Sequence, residues 1–70
     1  MQPIGILIKK RLKEQGKTVI WFSQQLACSR TNIYKIFRRS SIDTNDLLRI
    51  SQILSYDFFS IYSSELREMK

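Results

Sequence analysis

Histidine is absent from this 70-residue chain, cysteine and proline occur once each, and glycine occurs only twice. With no imidazole and one thiol, Cys28, the sequence offers neither an activated nucleophile with its base nor a thiolate or imidazole metal set. An intramolecular disulfide is excluded as well, and Cys28 reads as a small hydrophobe in a reducing compartment. Two glycines, Gly5 and Gly16, cannot supply a glycine-rich phosphate loop. The expectation is a non-enzyme with no cofactor, no metal and no small-molecule ligand. Long apolar runs are missing too. The longest covers residues 19–22, against the ~20 residues needed to cross a bilayer. The N-terminal charges follow a short apolar stretch instead of preceding a longer one, so it does not read as a signal peptide, and no membrane partner is expected.

Acidic residues are scarce where basic ones collect. Residues 1–42 hold nine basic side chains and one acidic, Glu14, for a net +8, whereas residues 43–70 hold three basic and five acidic, for −2. A polyanion gains from such fixed cations through counterion release, which suits a nucleic acid as partner. The length fits one domain with a thin core, because a chain this short buries only ~60% of the surface it exposes when unfolded.

No period-2 run supports a strand, and neither a repeat nor a low-complexity segment occurs. Apolar residues recur at helical spacing. Ile4, Leu7, Ile8 and Leu12 predict a first helix over residues 4–15, with Pro3 suited to its start and Gly16 to its end. Thr18 caps a second helix that buries Val19, Phe22 and Leu26, with the small Ser23 on the same face. The period breaks at Ala27 and Cys28. Ser29 then caps a third helix over residues 30–39, with Ile33, Ile36 and Phe37 inward and Thr31, Tyr34, Lys35 and Arg38 outward. Asp43 or Thr44 caps a fourth, with Leu47, Leu48, Ser51 and Leu54 inward. Asp46 supports that helix start and does not form a carboxylate pair for chemistry. A short fifth helix over residues 58–63 carries Phe58, Phe59, Ile61 and Tyr62, more apolar surface than a thin core hides. The domain is expected to span residues 1–63, with residues 64–70 as a polar, frayed tail.

Two short helices joined by a tight turn, the second basic on its outer face, form the arrangement that inserts a helix into a major groove. The segment TVIWFSQQLACSRTNIYKI at residues 18–36 resembles the Cro/repressor-like (XRE) helix-turn-helix family, and LLRISQIL resembles that family's fourth helix. The features carrying the resemblance are apolar Phe22, Leu26, Ile33 and Ile36, small Ser23 and polar Ser29. The resemblance implies an all-α, compact four- to five-helix lambda-repressor-like domain that binds double-stranded DNA as a homodimer. It further implies a bacterial or phage transcriptional regulator, typically a repressor, with a cytoplasmic, nucleoid-associated location.

By position, Ser29, Arg30, Thr31 and Lys35 match the family's base-reading sites. Chemically, Arg30 can pair bidentately with guanine, and Thr31 can contact a thymine methyl or a phosphate. Lys17, Thr18, Tyr34, Arg38 and Arg39 are expected at the DNA backbone, with Lys17 placed beside the start of the second helix. Phe58, Phe59, Ile61 and Tyr62 are the expected dimer contacts. Three residues depart from the family pattern. Val19 replaces a phosphate-clamping glutamine, Ala27 stands where the turn often has glycine, and Phe37 replaces a glutamate, so apolar packing is expected in place of an ion pair. The competing reading is a non-catalytic protein-interaction module that binds through Ile20, Trp21, Tyr34 and the fifth helix, its charge serving solubility. Attachment to a membrane surface through the basic first helix ranks behind both, because that helix lacks flanking aromatics.

Overall fold

The computed structural model describes residues 1–68, and every described element is helical. Helix α1 spans Ile4–Glu14, α2 Val19–Leu26, α3 Arg30–Phe37, α4 Thr44–Leu54 and α5 Phe59–Glu68. The fold is therefore all-α with five helices, as the apolar spacing predicts. None of these helices is long and apolar enough to cross a membrane.

The starts of α2, α3 and α4 are set by side chains. The hydroxyl of Thr18 accepts the Trp21 amide (3.0 Å), that of Ser29 accepts the Asn32 amide (3.2 Å), and the Asp43 carboxylate takes the amides of Asn45 and Asp46. Each satisfies donors that a helix start leaves without partners. Of the two possible caps for α4, the structure uses Asp43. Pro3 occupies the N-cap of α1, one residue before its first turn.

Three helices end in one way. Gly16, Ala27 and Ser55 all have positive φ, of 70°, 54° and 50°. In each case the residue after it donates five positions back (Lys17 to Leu12, Cys28 to Ser23, Tyr56 to Ser51), and the residue itself donates three back. This is the Schellman arrangement, which satisfies the last carbonyls and turns the chain sharply.

Ile4, Ile8 and Leu12 of α1, Phe22 of α2, Ile33 and Phe37 of α3, Leu47, Ile50 and Leu54 of α4, and Phe58 form the core. Two assignments change. Leu48 is exposed while Ile50 is fully buried, because the inner stripe of α4 runs through Leu47, Ile50 and Leu54 at i, i+3 and i+7. Phe58 is fully buried just ahead of α5, so it is a core residue and not a dimer contact. The fifth helix starts one residue later than expected and continues to Glu68, so residues 64–68 are helical instead of frayed. The rest of that expected tail, residues 69–70, lies outside the described residues. The Met1 ammonium meets the Glu65 carboxylate at 2.7 Å, which raises the amine pKa and lowers that of the carboxyl.

Polar contacts between helices fix their ends. The side-chain Nε2 of Gln15 donates to the Leu54 carbonyl (2.6 Å), and Arg49 Nη2 donates to the Leu26 carbonyl (3.3 Å). The Gly5 amide donates to the Arg39 carbonyl (3.0 Å). A Cβ at Gly5 would collide with the Ile36 carbonyl oxygen and lie 2.6 Å from the Phe37 carbonyl group, so α1 approaches the end of α3 as only glycine permits.

Candidate nucleic-acid interface

The turn between α2 and α3 consists of Ala27, Cys28 and Ser29. Ala27 holds the left-handed conformation despite its Cβ, and Cys28 is half-buried behind it. Ser23 is small enough to lie buried on α2, where its hydroxyl donates back to the Ile20 carbonyl (2.7 Å).

From this turn α3 leaves with one face in the core and one in solvent. Ile33 and Phe37 are buried and Ile36 is half-buried, while Arg30, Thr31, Asn32, Tyr34 and Lys35 are all exposed. Residues 30–37 contain no acidic side chain, so nothing on this helix neutralises Arg30 and Lys35. The four residues expected to read bases, Ser29, Arg30, Thr31 and Lys35, lie together at the start and along the outer side of α3. The hydroxyl of Ser29 is already occupied as the cap.

The flanks differ in chemistry. Toward α1, Tyr34 sets its ring edge-on to Phe37 (centroids 6.3 Å apart, 78° between planes), and Lys9 Nζ lies 5.9 Å from the centre of the same Phe37 ring. Phe37 thus fills by apolar and cation–π contact the place where the resemblance puts a glutamate. At the start of α2, Lys17 Nζ sits 4.9 Å over the Trp21 ring, which keeps its charge near the free amides there.

Toward α4, a cleft of about 300 Å³ gathers Asn32, Lys35, Arg39 and Arg49, with Asp46 as its acid. Arg39 does not end α3 as expected. The helix stops at Phe37 with Arg38 as its cap, because the amides of Arg38 and Arg39 turn to the carbonyls of Lys35 and Ile36 and the Arg39 carbonyl is held by Gly5. Its side chain folds onto the loop, with Nε donating to the Ser41 carbonyl (3.0 Å). Arg49 is the cation that the sequence reading missed. No local pattern marks it, since its position beside α3 comes from the packing of α4 behind α2.

Of the expected dimer residues, Phe59, Ile61 and Tyr62 are half-buried against the core, so α5 shows less free apolar surface than its composition suggests. Leu66, at 69% exposure, is its most open apolar side chain. Compared with family models, with curated proteins and with solved structures, the chain finds no match in any of the three.

Proposed function

We propose that this chain is a sequence-specific double-stranded DNA-binding regulator, most simply a repressor, that lays α3 in the major groove and acts as a homodimer. The observation that carries this reading is the outer face of α3: Arg30, Thr31, Tyr34 and Lys35 are exposed together on a short helix without acids, joined to α2 by a three-residue turn. A helix that is free on one side and basic along it fits the width of the groove and the charge of its walls. Arg30 and Lys35 reach base edges in this docking, and Thr31 meets a methyl group or a phosphate. Tyr34 on the helix, with Lys17, Arg38, Arg39 and Arg49 bordering it, contacts the backbone. Neither catalysis nor a bound cofactor enters into this reading, which places the protein with the chromosome in the cytoplasm of a bacterium.

Selection from randomised duplexes, followed by affinity measurements on the recovered site over a range of salt, tests the proposal. The expected result is a consensus site whose binding weakens steeply with salt, log K falling by roughly 0.9 per phosphate contact for each tenfold rise in salt. Absence of any duplex binding at low salt would sink the proposal and favour the protein-interaction module, for which the exposed Ile20, Tyr34 and Leu66 offer apolar contacts.

A further inference from the structure

A second groove lies on the other side of α1. Leu7, Phe58 and Ile61 form its apolar part, Lys10, Arg11 and Glu14 its charged rim, and its volume is about 420 Å³. Gly5 and Lys9 face α3, whereas Leu7 and Arg11 are each two residues further along α1, hence ~200° around the helix. Whatever occupies this groove therefore leaves α3 free.

We propose that the groove between α1 and α5 docks an acidic segment of a partner protein, one apolar side chain entering over Leu7 and Ile61 and a neighbouring carboxylate meeting Arg11. The geometry of Arg11 carries the charge assignment. Its guanidinium carbon lies 3.8 Å over the Tyr56 ring, and Tyr56 in turn is set edge-on to the buried Phe58 (centroids 4.8 Å apart, 72° between planes). The stack fixes the plane of the guanidinium before any ligand arrives, which reduces the ordering cost of a two-pronged carboxylate contact. Only Nε is engaged by the protein's own acid, at 3.8 Å from Glu14 Oε1, and among the described residues neither Nη group donates a hydrogen bond. Exposed Lys10 adds a second cation to the rim. Glu14 on the rim works against a polyanion such as DNA, which would also leave the apolar part empty. A segment with one or two carboxylates beside an apolar anchor satisfies both halves of the groove.

The test uses the full chain, isotope-labelled, titrated with a short peptide that carries leucine between glutamates, and with two control peptides in which glutamine replaces glutamate or alanine replaces leucine. The expected backbone amide shifts fall on Leu7, Arg11, Tyr56 and Ile61, with Thr31 and Lys35 unmoved. Each control should bind at least about tenfold more weakly, the scale of a charge-assisted hydrogen bond or of a buried apolar anchor. Arg11→Gln should lower affinity for the acidic peptide to that for its glutamine control. Lys10→Gln, an exposed rim substitution that leaves the Arg11–Tyr56 stack in place, should show a smaller loss without disturbing the fold. Shifts concentrated on α3, equal affinity for the acidic and glutamine peptides, or no shift at millimolar peptide would each overturn the proposal. So would self-association that closes the groove with a second copy. DNA plays no part in the readout, so failure here leaves the reading of α3 standing.

Discussion

Ala27 and Ser55 occupy the same left-handed conformation at the ends of α2 and α4, and neither is glycine. A Cβ in that region costs about 1–2 kcal/mol, and the greater freedom of glycine when unfolded takes back roughly 0.4–1. Ala27→Gly and Ser55→Gly should therefore each stabilise the protein by up to about 1.6 kcal/mol, and a domain of this size gains about 4–8 °C in Tm per kcal/mol. Thermal melts check both, and a lower Tm for either variant means that its turn does not hold this conformation in solution. Gly5 is the opposite case. Alanine favours a helix over glycine by about 1 kcal/mol, yet its Cβ meets the α3 backbone and not a flexible side chain able to give way. Separating α1 from α3 outweighs the propensity, so Gly5→Ala should lower Tm, by roughly 1–3 kcal/mol in stability. An unchanged or raised Tm would show that the two helices slide apart at little cost. Ser51 presents a buried hydroxyl with no hydrogen-bond partner among the described residues. Ser51→Ala should be neutral or stabilising by up to about 1 kcal/mol in the same melts, since only an unmet polar group is lost. A clear fall in Tm would mean that the hydroxyl has a partner in solution.

At the scale of elements, what the sequence made legible is what neighbouring residues decide. Thr18, Ser29 and Asp43 act on amides two or three positions ahead, and Ala27 reaches carbonyls within its own helix, so spacing alone located these helix starts and the turn. The end of α3 was not legible, because it depends on Gly5 capturing the Arg39 carbonyl from a segment more than thirty residues away. Arg49 beside α3 and Arg11 over Tyr56 escaped notice for the same reason, since each acquires its place from packing between helices. The earlier end of α3 sharpens a contrast on DNA. Arg30 opens the helix, where a reading helix addresses bases, whereas Arg39 and Arg49 stand on the flank toward α4. Arg30→Ala should cost about 1–3 kcal/mol on the selected site and remove the preference at one base pair per half-site. Arg49→Ala should weaken all duplexes alike and make the salt dependence shallower by about one unit. Binding to a panel of single-base-pair operator variants at several salt concentrations separates the two. The docking would have to be reversed if Arg49→Ala erased a base preference and Arg30→Ala did not.

For the whole molecule, charge is divided unevenly between the two ends of the chain. The net +8 of residues 1–42 lies on α1, the turn after it, α3 and the loop that follows, α2 being uncharged, while residues 43–70, with α4 and α5, are slightly acidic. A polyanion attracted to the first part is not drawn to α5, which leaves that helix available to a second copy bound to the same duplex. The available surface is smaller than composition suggested, since Phe58 is in the core and Phe59, Ile61 and Tyr62 are half-buried, with Leu66 open beyond them. A contact so limited falls toward the weak end of protein interfaces, so the free chain should be mainly monomeric and pair once DNA holds two copies in register. The selected site should then contain two half-sites about 34 Å apart, one turn of duplex. Light scattering should give two chains per duplex on that site and one when a half-site is scrambled. Leu66→Glu should weaken binding to the paired site while leaving binding to an isolated half-site as it was, because the charge disturbs the contact between copies and not the contact with DNA. A paired site that Leu66→Glu binds as tightly as the parent chain would remove α5 from the interface, and a single unpaired half-site from the selection would remove the dimer itself.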